Sequence, residues 1–371
     1  MQADIVVLPG DGIGPEVMRE AVRVLQAVAD LAGHQFSFRE SLIGGVAITE
    51  TGNPLPQETV DACLAADGVL LAAVGGPAGK AVPGVEAVRP EQGLLGLRRE
   101  LNAYANLRPV HVYPQLVDAS PLREEYVTGV DLVIVRELTG GLYFGARKEA
   151  GPDLADETVA YDTMAYRAHE IERIARVAFR LATGRSGKVI SVDKANVLAS
   201  SRLWRRVVER TAAEYVDVEV ESMLVDAAAM YLLRCPRTFD VLLTANLFGD
   251  ILADEASMLA GSLAMLPSAS LSDDGPGLFE PVHGSAPDLA GKGVANPVGM
   301  ILSSAMLLRH GLGLQAEAAA VEAAIDRVLE DGWRTEDLDG SGRNAVGTEE
   351  LGDRIAEALN REWNTRQEGV K

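Results

Sequence analysis

Phe239-Asp-Val-Leu-Leu-Thr244-Ala-Asn-Leu-Phe-Gly-Asp250-Ile-Leu-Ala-Asp254 passes from an apolar run into a helical pattern through a glycine-bearing turn. A buried strand over 239–243 that opens directly into a helix is the repeating unit of α/β architecture. Asp250 and Asp254 stand one helical turn apart, so both carboxylates share a face. They repel unless a cation or a shared proton lies between them. The alternative is that Asp250 favours the helix N-terminus through the macrodipole while Asp254 faces water. A third acid, Asp226, sits in the apolar run Met223-Leu-Val-Asp226-Ala-Ala-Ala-Met-Tyr-Leu-Leu. On an otherwise core-like helix an unpaired carboxylate would be costly.

Outward from this stretch, the strand, turn, helix pattern recurs. Strands are expected at Asp4–Leu8, Gln35–Arg39, Val69–Val74, Asp131–Val135, Val189–Val192, Val216–Val220 and Phe239–Leu243. A first helix starts at Pro15, with Val17, Ala21, Val24, Leu25 and Val28 on one stripe and Gly33 after its end. Such alternation predicts a largely parallel sheet. Gly10-Asp-Gly12-Ile-Gly14-Pro-Glu16 fits neither GxGxxG nor the P-loop, because Pro15 interrupts the first and no Lys completes the second. It reads as a tight turn rather than a dinucleotide fingerprint, and a nucleotide-hydrolysing function lacks its lysine. Val298–Leu308, interrupted by Ser303 and Ser304, is too short to span a bilayer and reads as a core helix.

The 371 residues suffice for two domains or one divided one. Acidic side chains outnumber basic ones by 54 to 34, giving a formal charge of -20, which argues against a general nucleic-acid binder. The two cysteines, Cys63 and Cys235, make no metal-spaced or redox pattern and point to a reducing compartment. No signal-like segment precedes the first strand, so a cytoplasmic protein without a membrane association is expected.

Glu91, Leu94, Leu95 and Arg98 fall on one helix face, as either a recognition surface or a core stripe capped by an arginine. Arg108 and Arg136 add guanidiniums near element ends, and three arginines can hold two carboxylates through bidentate contacts. The segment around Tyr143 to Thr163 alternates like an extended arm with little of its own chain to pack on, which suggests pairing with a second subunit. Lys194 is delivered at a strand's C-terminal end, as a solvated cation or, beside a metal and arginines, as a base. The Gly/Pro/Ala-rich loop His283–Asn296 can bring backbone close to a flat ligand.

Seven segments carry a resemblance, in order along nearly the whole chain. They are Leu8–Glu16, Gly93–Arg98, Ala105–Pro109, Val135–Gly145, Val192–Val197, Asn246–Asp254 and His283–Asp288. Together they resemble the β-decarboxylating hydroxyacid dehydrogenases, the family of the 3-isopropylmalate, isocitrate, homoisocitrate and tartrate/malate enzymes, with the isopropylmalate branch the nearest match. The resemblance implies two open α/β domains around a central cleft, not a Rossmann fold. The first domain, 1–103 with 261–371, would hold the adenosine loop. The second, 104–260, would hold the metal helix and an arm at about 140–165. It implies a homodimer with shared active sites, NAD+ and Mg2+ or Mn2+ as cofactors, and 3-isopropylmalate as substrate.

By the same resemblance Lys194 and Tyr143 are catalytic. Arg98, Arg108, Arg136, Asp226, Leu94, Leu95 and Asn196 meet substrate. Glu91, His283, Gly284, Ser285, Ala286, Asp288 and Asn296 meet the cofactor. Asp250 and Asp254 bind metal with Asp226 of the other subunit, and Lys194 likewise reaches across. Asp288 would accept from the adenosine ribose diol and repel a 2′-phosphate, favouring NAD+. The same chemistry on homoisocitrate, D-malate, tartrate or another alkylmalate is the neighbouring reading. A non-catalytic ligand-sensing subunit is the remote one.

Overall fold

The computed structural model describes residues 1–76, 88–150, 158–338 and 345–369. The strands in chain order are β1 (Gln2–Gly10), β2 (Gln35–Glu40), β3 (Gly68–Ala73), β4 (Ala105–His111), β5 (Asp131–Glu137), β6 (Arg147–Lys148), β7 (Tyr161–Asp162), β8 (Lys188–Asp193), β9 (Glu219–Leu224), β10 (Val241–Thr244), β11 (Pro267–Leu271) and β12 (Leu278–Pro281). The α-helices are α1 (Gly14–Ala32), α2 (Gly45–Thr51), α3 (Gln57–Ala65), α4 (Glu91–Glu100), α5 (Glu124–Val127), α6 (Ala168–Thr183), α7 (Ala199–Ala212), α8 (Val225–Arg234), α9 (Asn246–Ser257), α10 (Val298–Met306), α11 (Gln315–Glu330) and α12 (Thr348–Gly369).

Two units emerge, one of residues 1–103, 111–129 and 257–371, the other of 104–110 and 130–256. Residues 111–129 therefore join the first unit, unlike the expected division at 104. Arg334 explains this, since it donates to the Asp118 carboxylate at 3.0 Å and to the Gln115 carbonyl.

In the first unit the strands run in the order β2-β1-β3-β12-β11. Pairing is parallel except for the antiparallel β11–β12 contact. Val6, Leu8, Val69, Leu71 and Leu278 form one core with Ile43 and Leu97, and Leu94 packs partly against it. Every residue of α10 is buried. Its two serines are accommodated because Ser303 donates to the Gly299 carbonyl at 2.7 Å and Ser304 to that of Ile301 at 2.6 Å.

In the second unit the order is β4-β5-β10-β8-β9. β10 pairs in parallel with β5 and β8, and β8 with β9. The strand expected at Val216–Val220 lies further along, at Glu219–Leu224, and Val216 is 87 % exposed in the preceding turn. Apolar content misled there, because Glu219, Glu221 and Ser222 lie within β9, as an edge strand allows. β6 and β7 pair antiparallel within the chain, so the arm is a small exposed ribbon. Residues 151–157 of it lie outside the described set. No helix among the described residues is long and apolar enough to cross a membrane.

Glu20 on α1 is buried beside α12, where a Cβ on Gly352 would come within 2.2 Å of its Oε2. Neither carboxylate oxygen is hydrogen-bonded, and Arg23 stands 3.1 Å away as ion partner. Burial, opposed by Arg23 and reinforced by Asp353, holds the carboxyl above its ordinary 4.5. The folded state thus retains a proton the unfolded chain releases, and the destabilisation is present at neutral pH but fades as pH falls toward 4.5. Arg23 keeps Asp353 and Glu349 as partners if Glu20 is neutralised. Glu20→Gln should therefore stabilise the chain by about 1 kcal/mol near neutrality, with the advantage over wild type closing as pH drops. Urea unfolding across that range measures it, and a gap that widens on acidification would contradict the assignment.

Candidate active site

The register of β5, β10 and β8 assembles the acidic helix with its partners. Thr244 ends β10 opposite Arg136 on one side and Val192 on the other, and its hydroxyl donates to the Val192 carbonyl at 3.0 Å. The chain then turns into α9, whose first residue is Asn246 and whose next turn carries Asp250. Residues four apart share a helix face, so Asn246 and Asp250 meet the same guanidinium.

Arg136, only 2 % exposed, donates from Nε and Nη2 to Asn246 Oδ1 at 2.9 and 2.7 Å and from Nη1 to Asp250. Its stem lies on Gly249, where a Cβ would stand 2.8 Å from Arg136 Cγ. Asn246 spends its amide on the carbonyls of Leu138 and Gly140 at 2.9 and 3.1 Å, while its backbone N–H donates to the Tyr166 hydroxyl. Arg108 is oriented by Asn106 at 2.9 Å and reaches Asp250 at 3.5 Å and Asp254 at 3.6 Å. The Tyr143 hydroxyl donates to Asp250 Oδ2 at 2.7 Å, and Arg136 sits 5.7 Å from its ring centre.

Asp250 thus gathers two guanidiniums and a phenol. Burial, then the bond to Asp250, pushes the Tyr143 phenol up to about 12, so it carries its proton at neutral pH. Burial and the charge of Asp250, against Arg108, hold Asp254 above the usual carboxylate range. Two carboxylates on one helix face offer oxygen ligands of the kind a hard divalent cation takes.

The third acid is elsewhere. Asp226 pairs with Lys194 of the same chain at 2.5 Å, its side chain 59 % exposed, and that bond holds its carboxyl below the ordinary value. The expectation of a core-like helix fails here. α8 buries only Ala228 and Leu232, and leaves Met230 64 %, Leu233 41 % and Tyr231 40 % exposed. Among the described residues no group of three potential ligands could hold a metal within one chain. Lys194 follows β8 as expected, and Asn196, two residues on, is exposed.

The first unit holds the other expected residues. Arg98, buried at the end of α4, donates to the buried Glu280 of β12 at 2.6 Å, a partner sequence reasoning missed. The missed signal was an acid just ahead of the His283 loop. Leu95 is half-buried and Glu91 exposed. Gly75 brings Glu91 and Ser285 together, since a Cβ there would stand 3.7 Å from Glu91 Oε1 and 3.0 Å from Ser285 Oγ. His283 is buried, its Nδ1 2.9 Å from the Gly284 carbonyl. Its Nε2 is buried without a hydrogen-bond partner, and burial depresses its pKa, which leaves it a neutral acceptor. Ala286 takes a positive φ of 37°, and Asp288 is exposed. Asn296 is buried and structurally engaged, accepting from Val298 N–H at 3.0 Å and donating to Asp337 at 3.3 Å.

Arg108, within β4, and Arg136, near the end of β5, stand around a helix-borne carboxylate pair on a mostly parallel sheet, and the protein is an α/β enzyme. The chain belongs to the isocitrate/isopropylmalate dehydrogenase family, whose model matches residues 4–355. It is 57 % identical over 359 residues to the 3-isopropylmalate dehydrogenase of Halalkalibacterium halodurans, covering 97 % of this chain and 98 % of that one. It is 59 % identical to that of Bacillus subtilis over 338 residues, covering 91 % and 92 %. Among solved structures, isocitrate dehydrogenase from Methylococcus capsulatus matches at a TM-score of 0.83 and 36 % identity over 96 % of this chain and 99 % of that one. A β-decarboxylating dehydrogenase from Thermococcus kodakarensis matches at 0.77 and 38 %, over 96 % of each chain.

Asn246 is the residue on which the arrangement hinges without itself being charged. Asn246→Ala leaves buried donors of Arg136 and two carbonyls without their partner, and should cost about 2–3 kcal/mol. Urea unfolding midpoints test this, and a neutral substitution would refute it.

Proposed function

We propose that the chain catalyses the NAD+-dependent oxidative decarboxylation of 3-isopropylmalate to 4-methyl-2-oxopentanoate and CO2, a step of leucine biosynthesis in the cytoplasm. The observation that carries the chemistry is the convergence of Arg108, Arg136 and Tyr143 on Asp250. Near-full-length likeness to relatives named for that activity supports the substrate.

Arg108 and Arg136, already poised on carboxylate oxygens, exchange those contacts for the substrate's carboxylates, with Arg98 as the third cation. Asp250 and Asp254 are the ligands this chain offers to Mg2+ or Mn2+. When bound, the divalent ion supplies charge neutralisation at the reacting oxygen and the nicotinamide supplies the hydride acceptor. Lys194 takes the proton of the C2 hydroxyl as that carbon is oxidised. Loss of CO2 from the β-keto acid leaves an enolate, and Tyr143, whose phenol keeps its proton up to about 12, delivers that proton to C3. Leu94 and Leu95 cover the isopropyl group, at roughly 0.8 kcal/mol per buried carbon. His283 Nε2 offers its lone pair to the adenosine half, Glu91 lies toward the nicotinamide, and Asp288 accepts from the ribose diol.

The working unit in this proposal is a homodimer. Within one chain Asp226 is engaged by Lys194, away from the acidic pair, so the third ligand comes from the partner subunit's Asp226. The exposed Met230, Tyr231 and Leu233 of α8 and Ile251 of α9, 58 % exposed, supply apolar surface for such an association.

NAD+ reduction with 3-isopropylmalate, isocitrate, homoisocitrate and D-malate, with and without Mg2+ after chelation, tests the reaction. Metal-dependent turnover should be strongest on 3-isopropylmalate. Preference for another acid would overturn the role of Leu94 and Leu95, and no turnover on any would overturn the enzyme reading. Mixing inactive Lys194→Ala and Asp250→Ala chains should restore activity, about a quarter of wild type if one of two sites is intact in half the dimers. No recovery despite subunit exchange would refute a shared site.

A further inference from the structure

The glycine-rich turn Gly10–Glu16 has no part in the chemistry above; Asp11 ties it to Gly45, Val46 and Gly75, while Ile13 and Glu16 bond the loop 283–296. We infer that Glu16 is a positioning residue for the loop 283–296, fixing the backbone that presents Asp288 and so setting the affinity for the dinucleotide. This rests on the reading of that loop as the adenosine site.

Glu16 is the third residue of α1 and half-buried. Its Oε1 accepts from Gly291 N–H and its Oε2 from Gly293 N–H at 3.0 Å. Both glycines have positive φ, 76° and 65°, a backbone state that turns successive N–H groups toward one anion. The carboxylate stands in the first turn of α1, where the helix dipole attracts negative charge, and bonds to a charged acceptor are the stronger kind. The loop's other end is held by the same turn, because Ile13 N–H donates to the Ser285 carbonyl at 2.9 Å. Gly12 permits that approach, since a Cβ there would stand 1.9 Å from the Ser285 oxygen. Past the glycines, Thr348 N–H donates to the Gly293 carbonyl at 2.9 Å and its hydroxyl to that of Ala295 at 2.6 Å.

Asp288 lies between these two attachments and is exposed, and the turn around it is closed by the Leu289 N–H to Ala286 bond at 2.9 Å and the Lys292 N–H to Leu289 bond at 3.2 Å. The carboxylate of Glu16 holds the far end of the turn that carries it, at Gly291 and Gly293. Glutamine in place of Glu16 keeps one acceptor and loses the charge, and alanine loses both bonds.

The experiment compares wild type, Glu16→Gln, Glu16→Ala, Asp288→Ala and the Glu16→Ala/Asp288→Ala double variant. It reads NADH binding by nicotinamide fluorescence, steady-state constants for both substrates, and thermal midpoints. Glu16→Gln should weaken NADH binding and raise KM for NAD+ about fivefold, and Glu16→Ala about tenfold or more. kcat and KM for the hydroxyacid should stay within about twofold, and the double variant should be little worse than Asp288→Ala, since the two residues act through one contact. Unchanged NADH binding in folded Glu16 variants, or additive losses in the double variant, would overturn the inference. If Asp288→Ala weakens NADH binding and the Glu16 variants do not, only the role of Glu16 fails. If Asp288→Ala has no effect, the adenosine reading of the loop fails and the inference with it. Because NADH binding needs no hydroxyacid, neither result depends on which substrate is turned over.

Discussion

A guanidinium cannot be buried unless its donors are satisfied, and the second unit is arranged to meet that demand at Arg136. Asn246 Oδ1 accepts from two of its donors and Asp250 from a third. Meeting it fixes much else. β10 must end level with β5, α9 must begin at Asn246, and residue 249 must be glycine so that the arginine stem can lie on the helix. The carboxylate that completes the set is thereby held beside Arg108 and Tyr143. Charge placement at the site is a consequence of solving a burial problem.

What was legible in the chain was what local periodicity encodes. The strand-to-helix passage at 239–254, the first helix with Gly33 at its end, and the core helix carrying Ser303 and Ser304 follow from spacing and apolar content. β4, β11 and β12 were not legible in that way. Each is short or contains proline or a charged residue, as in Arg108-Pro109, Pro267 and Glu280-Pro281, and each is a strand only because of the neighbours it pairs with. The displacement of β9 has the same origin, since an edge strand need not be apolar on either face.

For the site, residue type and position within an element pointed to the acids and to Arg136 near the end of β5. Arg108, expected near an element end, stands mid-strand in β4, and the partners of these residues were hidden by distance along the chain. Glu280 lies far in sequence from Arg98, as Asn246 does from Arg136. The surroundings of Asp226 differ from the expectation for a physical reason: α8 is apolar but not core, since it turns Met230, Tyr231 and Leu233 outward and leaves its acid to Lys194. Apolar surface that a single chain does not bury looks, in sequence, the same as a core.

The pairing of β12 beside β3 carries a consequence for how the chain comes off the ribosome. β3 is complete once Ala73 has been made, but one of its edges stays bare until Leu278 emerges to fill it. Within that interval the second unit, complete in sequence once Ala256 has been made, can close around its own sheet while the first waits half-built with an apolar, hydrogen-bond-hungry edge. Vectorial synthesis thus reverses the numerical order of the units: the half that begins the chain is the half that finishes last.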